Sequence, residues 1–256
     1  MKVLNNKFNL KITNNCTLVI GNFDGLHKGH ISILNEAIKY AKQKKLKTGL
    51  LTFNPNPKEF FSKAKNFKII SLNEKQKILS KMKLDFLIII KFNKKLRNLS
   101  AEDFIIKILK KKINPSKIII GKEFKFGKNR MGSPSLLKKY FSIKIASQKR
   151  ISRKKISSSE IRKLISTGNI SQVKKLLGRY WSVYGRVISG DKIGRKIGYR
   201  TANIFLNDCV LPRRGVYVTR LYLNKTIFDG ISNFGIAPNF WKKKSRCIRN
   251  TLIHSC

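Results

Sequence analysis

Two histidines three residues apart stand in a short glycine-bearing segment near the start of the chain. The segment reads GNFDGLHKGH at residues 21–30 and holds His27 and His30, two of the three histidines present. A β-rich run precedes it, and a helical pattern begins at about residue 30. Glycines let a backbone approach phosphate closely, and a helix N-terminus adds N–H donors and a partial positive charge. The spacing predicts that both rings point at one anion.

A zinc pair and two solvated turn histidines are the alternatives for these residues. A zinc site needs further ligands, and no third histidine or cysteine lies nearby in sequence. The cysteines are far apart and show no CxxC spacing, at Cys16, Cys209, Cys247 and Cys256. We therefore expect free thiols in a reducing cytoplasm.

A second constellation lies at residues 184–204, where glycines are frequent between β-like runs. We expect a flap over phosphates here, with a plain glycine-rich β-turn as the alternative. Thr201 and Asn203 are two residues apart, so their oxygens share one face of an extended segment. A hydroxyl and an amide on one face suit a magnesium–phosphate group.

A serine-rich helix start, ISSSEIR at residues 156–162, is the third candidate. Its serines lie where the free amides of a first helical turn need hydrogen-bond acceptors. An ordinary serine N-cap is the alternative for this motif taken alone.

The elements that would position these residues alternate between strand and helix in the first half. We predict strands at residues 16–20, 47–53, 84–90 and 117–120, and helices at 30–45, 71–83 and 100–112. A loop is predicted at residues 54–57, which contain two prolines. This alternation predicts an open α/β domain with a parallel sheet covered on both faces.

The second half has a different texture. Helices are predicted at residues 158–166 and 170–177, followed by short β-like runs at 184–188, 216–222 and 226–231. These runs predict a small antiparallel β-barrel or sandwich that begins near Trp181. We therefore expect two domains, 1–180 and 181–256.

The charge balance is unusual, since 57 lysines and arginines face 12 acidic residues, a formal charge of +45 over 256 residues. The basic residues are spread along the whole chain, a pattern typical of an AT-rich genome, so we expect no dedicated nucleic-acid partner. No apolar run approaches the ~20 residues that a membrane span needs, so no membrane partner is expected.

The segment at residues 21–30 resembles the HxGH signature of adenylyltransferases. The longer string is similar to the FMN adenylyltransferase half of the bacterial bifunctional riboflavin kinase/FAD synthetase family. TFNPNP at residues 52–57 resembles its TFxPHP, GKEFKFG at 121–127 its GxxFxFG, and ISSSEIR its ISSTxIR. The resemblance implies transfer of AMP from ATP to FMN.

The same resemblance implies roles for individual residues of the first half. His27 and His30 would be catalytic. Contacts with ATP and its phosphates are expected at Gly21, Phe23, Asp24, Gly25, Gly29, Ser158, Ser159 and Arg162. Flavin binding is expected at Asn56, Phe124 and Arg130.

The second constellation resembles GxVxxGDxxGRxxGxPTAN of the riboflavin kinase half, and residues 211–217 and 233–240 resemble its later motifs. The implied substrates are ATP and riboflavin, with Mg²⁺ at Thr201 and Asn203. Nucleotide binding is expected at Gly190, Asp191, Gly194, Gly198, Thr201 and Asn203.

Three departures from the family pattern stand out. Asn56 replaces the histidine of PHP, and Arg200 replaces the proline of PTAN. Beyond Trp241 the pattern dissolves, and Leu252 stands where a catalytic glutamate of an ExH pair is expected, with His254 as its histidine. We therefore expect an incomplete kinase domain that lacks this strand and its base.

The leading hypothesis is an enzyme of flavin cofactor synthesis with a doubtful kinase activity. One alternative is an HxGH adenylyltransferase that acts on another acceptor, such as pantetheine phosphate or nicotinamide mononucleotide. The other is a basic nucleic-acid-binding protein that has kept a catalytically dead nucleotide fold.

Overall fold

The structure is a computed structural model that describes residues 1–5, 15–146, 150–151, 154–188, 201–206, 208–223, 226–236 and 246–255. The chain forms two compact units that are not contiguous in sequence. The first unit contains Met1–Ala64, Leu72–Ser158 and Leu176–Gly178. The second contains Lys65–Ser71, Ser159–Lys175 and Arg179–Cys256.

A parallel β-sheet forms the centre of the first unit. Its strands are β1 (Lys2–Asn5), β2 (Cys16–Ile20), β3 (Lys47–Asn54), β4 (Phe86–Lys91), β5 (Lys117–Gly121) and β6 (Ile143–Ala146). Among the described residues the order is β1–β4–β3–β2–β5–β6, and every neighbouring pair is parallel. The predicted α/β domain with a parallel sheet is confirmed.

Helices connect these strands, as the alternation predicts. They are α1 (Lys28–Gln43), α2 (Pro57–Ser62), α3 (Leu72–Ser80), α4 (Lys94–Arg97), α5 (Ala101–Asp103) with a π-helical continuation (Phe104–Ile113), and α6 (Pro134–Lys138). All five residues of β2 are buried, as expected for a strand with both faces covered. The order of chain connections reverses at β2, which places a switch point of the sheet at its carboxyl end.

Several elements of the first unit differ from the prediction. The loop predicted at residues 54–57 is shorter, because Asn54 ends β3 and Pro57 already begins α2. Proline is favoured at the first helical position, where its missing N–H has no helical partner to lose. The helix predicted to reach Lys112 changes from α to π geometry at Phe104. Strands β1 and β6 were not predicted.

The second unit contains an antiparallel sheet and two helices. The helices are α7 (Ser158–Ser166), which belongs to this unit from Ser159 onwards, and α8 (Ile170–Leu177), which belongs to it as far as Lys175. The sheet strands are β9 (Gly185–Ile188), β10 (Thr201–Leu206), β11 (Gly215–Leu223), β12 (Thr226–Ile236) and β13 (Arg246–Ser255). Strands β7 (Arg150–Ile151) and β8 (Lys154–Lys155) form a separate antiparallel pair that belongs to the first unit. The order of the described sheet strands is β11–β12–β13–β10–β9.

The expectation that the last strand is missing is wrong. Arg246–Ser255 forms β13 between β12 and β10, with antiparallel pairing on both sides. Two neighbours satisfy the backbone donors and acceptors of this segment, so strand formation does not depend on the glutamate that the family pattern leads one to expect. A bulge between Asp229 and Gly230 interrupts the pairing with β12, and His254 pairs with Asp229.

Short contacts explain why Lys65–Ser71 belongs to the second unit. The N–H of Lys68 donates to the Asp208 carbonyl at 2.9 Å, and the N–H of Val210 donates to the Lys68 carbonyl at 2.7 Å. The indole N–H of Trp181 donates to the Ile69 carbonyl at 2.7 Å. Among the helices of the described segments, none combines the length and the apolar character that crossing a bilayer requires.

Candidate adenylyl-transfer site

The segment at residues 21–30 begins at the carboxyl end of β2 and leads into α1. The N–H of Gly21 donates to the Leu51 carbonyl at 3.1 Å, which ties the start of the segment to β3. Motif residues also follow β3, at Asn56, and β5, at Phe124. Because β3, β2 and β5 are parallel neighbours, all three motifs emerge at one edge of the sheet. Ligands of open α/β sheets bind at this edge.

The loop conformation depends on residues with positive φ. Phe23 has φ 47° and Leu26 has φ 43°, and Gly25 between them has φ 79°, a region in which glycine is favoured. Phe23 is buried, and a Cβ on Gly21 would lie 2.9 Å from its ring. The positive φ values therefore turn the chain so that the Phe23 ring lies close to Gly21.

The structure brings the two predicted histidines together at the start of α1. Their rings stack with centroids 3.6 Å apart and planes 18° from parallel. His27 is the N-cap of the helix, and its Nδ1 accepts a hydrogen bond from the His30 N–H at 3.3 Å. Phe23 lies against the other ring, with its centroid 4.7 Å from that of His30.

Burial and charge favour a neutral His30. The pKa of His30 lies well below the ordinary value of 6.5, mainly because the ring is buried. The neighbouring charges of His27 and Lys75 lower this pKa further. The Nδ1 atom of His30 is buried and has no hydrogen-bond partner among the described residues. A neutral imidazole still carries one N–H donor. It can therefore hydrogen-bond a phosphate oxygen without taking up a second proton and becoming charged.

Two side chains that the sequence analysis did not identify hold the segment at residues 21–30 by hydrogen bonds. The Thr52 hydroxyl donates to the Asn22 carbonyl at 3.0 Å, and Lys75 Nζ donates to the same carbonyl at 2.9 Å. Lys75 is only 7% exposed, on the buried side of α3 together with Leu79. A lysine four residues before a buried leucine, on the apolar stripe of a helix, was the sequence signal available for it.

Of the other predicted phosphate contacts, Ser158 contacts the loop at residues 21–30, whereas Arg162 contacts Phe67. Ser158 Oγ donates to the Asp24 carbonyl at 3.0 Å within the first unit, which joins the serine-rich motif to the loop. In the second unit, Arg162 Nε donates to the Phe67 carbonyl at 2.9 Å, and its guanidinium lies 3.9 Å from the Phe67 ring centroid. This arginine is thus held by backbone and ring contacts of Lys65–Ser71.

The candidate flavin residues lie in the segments after β3 and β5. Phe124 stacks on Phe126 at 5.5 Å, and Phe126 exchanges two backbone hydrogen bonds with Gly132. Arg130 is exposed, with φ 61°. Asn56 is 9% exposed and caps α2.

Comparison with known proteins decides the family. A family profile described as FAD synthetase matches residues 9–160, and one described as riboflavin kinase matches residues 177–254. A bifunctional riboflavin kinase/FMN adenylyltransferase of Buchnera aphidicola from Schizaphis graminum is 41% identical over 95% of this chain and 81% of its own length. The Escherichia coli K12 enzyme of the same name is 32% identical over 87% of this chain and 74% of its length.

The chain belongs to the bifunctional riboflavin kinase/FMN adenylyltransferase family. It is therefore an enzyme of flavin cofactor biosynthesis, with a nucleotidyltransferase part and a kinase part. A crystal structure described as a macrolide-efflux protein of Streptococcus pneumoniae has a TM-score of 0.86. It is 27% identical and covers 100% of this chain and 86% of its own.

The structure gives a physical reason for the asparagine that replaces the histidine of the family's PHP motif. Asn56 Oδ1 accepts from the Lys58 N–H at 3.0 Å, and the Asn56 N–H donates to Glu59 Oε2 at 3.2 Å. This reciprocal arrangement is a capping box, for which asparagine is among the best N-cap residues. Asn56 therefore stabilises the helix that carries Phe60 and Phe61.

In the kinase part, the described strands hold only some of the predicted residues. Asn203 is 5% exposed on β10, where it pairs in register with Ile188 of β9 and Arg249 of β13. The backbone of Thr201 is in the same strand. Four predicted nucleotide contacts, Gly190, Asp191, Gly194 and Gly198, lie outside the described residues, as do Arg200 and residues 237–245.

Proposed function

We propose that the first unit transfers AMP from ATP to FMN and releases FAD and pyrophosphate. The observation that carries the proposal is the stacked pair of His27 and His30 at the N-terminus of α1, at the switch point of the sheet. Membership of the family supports FMN as the acceptor.

In this reaction a phosphate oxygen of FMN attacks the α-phosphorus of ATP. The bond from that phosphorus to the bridging oxygen breaks, and pyrophosphate leaves with the bond electrons. Negative charge increases on the oxygens around the α-phosphorus, so donors fixed beforehand lower the barrier. Because His27 Nδ1 accepts from the His30 N–H, a neutral His27 carries its proton on Nε2 and can donate it to phosphate.

The other loop residues supply backbone and shape. We propose that Gly21, Phe23, Asp24, Gly25 and Gly29 hold the phosphates through the amides and close approach of this loop. Ser158, Ser159 and Arg162 are proposed as further phosphate contacts. Asn56, Phe124 and Arg130 are proposed on the flavin side, where aromatic faces suit a planar ring system.

For the second unit we propose a riboflavin kinase fold whose sheet closes into a barrel, with a functional boundary near residues 180 and 181. The amide oxygen of Asn203 and the hydroxyl of Thr201 are the oxygen ligands that Mg²⁺ prefers, so the donor set fits this ion. Bound there with ATP, Mg²⁺ would neutralise phosphate charge, and Gly190, Asp191, Gly194 and Gly198 would cover the nucleotide.

We propose that phosphorylation of riboflavin by this unit is weak. If His254 is the histidine of the family's ExH pair, Leu252 stands at the position of the catalytic glutamate, and leucine cannot accept the proton of the riboflavin 5′-hydroxyl. Loss of a general base lowers a rate by about 10²–10⁴-fold. Robust conversion of riboflavin to FMN by the purified chain would contradict this part.

The alternatives have less support. An HxGH adenylyltransferase for another acceptor would not need the kinase-like part, which matches its own family profile. A nucleic-acid binder would show a steep dependence of affinity on salt without turnover. Small molecules remain the proposed partners, and a cytoplasmic location stays a prediction.

The test is incubation with Mg-ATP and FMN, followed by chromatographic separation of FMN and FAD. We expect FAD from the wild type and a loss of about 10²-fold or more in His30→Asn. Lys39→Met, an exposed change on the same helix, is the control and should retain activity. Equal rates in wild type and His30→Asn would contradict the proposed role of the histidine pair.

A further inference from the structure

Lys75 is a buried lysine in a position where packing alone does not call for one. Its side chain lies on the interior side of α3 and is 7% exposed. Removing an ammonium group from water costs several kcal/mol, and an apolar residue of similar volume often serves stability equally well. The charge therefore suggests a local task.

The contact of Lys75 shows what this task is. Its Nζ and the Thr52 hydroxyl both donate to the Asn22 carbonyl, at 2.9 and 3.0 Å, and thus use both acceptor positions of that oxygen. The next residue is Phe23, which has positive φ and whose ring lies against His30. Contacts thus lead from Lys75 through the Asn22 peptide and the Phe23 ring to the histidine pair.

The charge of Lys75 also acts on the histidines. The charged groups that act on His30 are His27 from its own helix and Lys75 from α3, and both favour the neutral imidazole, although burial is the larger cause of the lowered pKa. Two protonated rings stacked at 3.6 Å would repel each other. The ammonium group of Lys75 thus adds positive potential beside the loop and, with burial, keeps the pKa of His30 low.

We propose that Lys75 is a positioning residue of the adenylyl-transfer site, which fixes the Asn22 peptide and so places the stacked His27 and His30 rings. This inference rests on the proposed adenylyltransferase function and deepens it. Lys75 is not placed on the substrate or on the reacting atoms. It acts through the loop and through its field on His30.

The kinetic test compares Lys75→Met with Lys77→Met, an exposed change on the same helix. We expect Lys75→Met to lower kcat for FMN adenylylation by about 10- to 100-fold, the loss typical of a buried hydrogen bond from a charged donor, with a small change in KM. Lys77→Met should match the wild type, and Lys75→Arg should recover part of the rate. Equal kcat values for the two methionine variants would overturn the proposal.

A second readout does not depend on turnover. The imidazole resonances of His30 are followed by NMR against pH in wild type and Lys75→Met, and the pKa of His30 should rise in the variant. A His30 titration that is unchanged in Lys75→Met would overturn the inferred action of Lys75 on His30. If Lys75→Met does not fold, Lys75→Gln, which keeps an amide donor but no charge, replaces it with the same two outcomes. If the wild type made no FAD, the proposed adenylyltransferase function would be refuted. The His30 titration would still test whether Lys75 acts on His30.

Discussion

Replacing Gly29 by alanine should separate the placement of the His27 ring from the stability of helix α1. Gly29 is the second residue of this helix, and it is buried. A Cβ at this position would lie 3.1 Å from Nδ1 and 3.2 Å from Cε1 of His27. Ordinary van der Waals contact begins at 3.4 Å, so the ring must move by a few tenths of an ångström.

The size of the effect follows from what that ring does. The ring of His27 stacks on that of His30 with centroids 3.6 Å apart, and its Nδ1 accepts a hydrogen bond from the backbone N–H of His30 at 3.3 Å. A displaced His27 ring therefore alters both contacts. A misplacement of about 1 Å costs about 10²-fold in rate, and a few tenths should therefore cost about 3- to 10-fold. Alanine is a better helix former than glycine by about 0.5–1 kcal/mol, which offsets the strain. We expect a lower kcat with an unchanged or slightly higher free energy of unfolding.

The assay measures kcat for FMN adenylylation and urea unfolding on the same preparations. Asn35→Ala, an exposed substitution on α1, supplies the matched gain in helix propensity without a contact at His27. A Gly29→Ala enzyme with wild-type kcat would refute the claim that ring placement limits the reaction. A large loss of stability would refute the claim that the helix accepts the methyl group.

Three further predictions concern the sheet, the α2 cap and acid stability. Gly49→Ala places a Cβ 1.9 Å from the Phe86 ring on the paired strand, so the free energy of unfolding in urea should fall by about 1–3 kcal/mol or more; unchanged stability would contradict this packing. Asn56→His restores the family residue, so we expect lower Michaelis constants for FMN adenylylation. Because the change weakens the α2 cap, the free energy of unfolding should fall by up to about 1 kcal/mol. Equal kinetics would show that this position has no role in substrate binding. His30 has a folded-state pKa below its ordinary 6.5, so its contribution to stability is complete above pH 6.5 and declines on acidification. Urea midpoints at pH 7.5 and 5.5 should therefore differ less in His30→Asn than in wild type, and equal differences would contradict the assignment.

Much of the first unit could be predicted from local patterns. Uniformly apolar runs such as Ile118–Ile120 predict buried parallel strands, and helical periodicity predicts α1 within two residues at either end. The histidine spacing predicts that both rings meet at a helix start, because residues three apart share a face. These features depend on sequence neighbours alone.

The missed features depend on partners distant in sequence. Lys75 contacts Asn22, 53 residues away, and the apolar stripe of α3 indicates that Lys75 is buried but not which residue it contacts. The strand Arg246–Ser255 has a basic and polar sequence, and it is stabilised by two flanking strands rather than by its own pattern. Helix α2 begins directly after a strand because Asn56 and Glu59 form a capping box across a proline, which the reading of a proline-rich loop overlooked.

The most direct test of the central claim is the fate of FMN in the presence of Mg-ATP. Purified chain is incubated with ATP and, in separate reactions, FMN, nicotinamide mononucleotide or pantetheine phosphate, and nucleotide products and pyrophosphate are quantified. The account predicts FAD and pyrophosphate in equal amounts from FMN, little product from the other acceptors, and loss of FAD formation in His30→Asn. Absence of FAD, or faster adenylylation of another acceptor than of FMN, would contradict it.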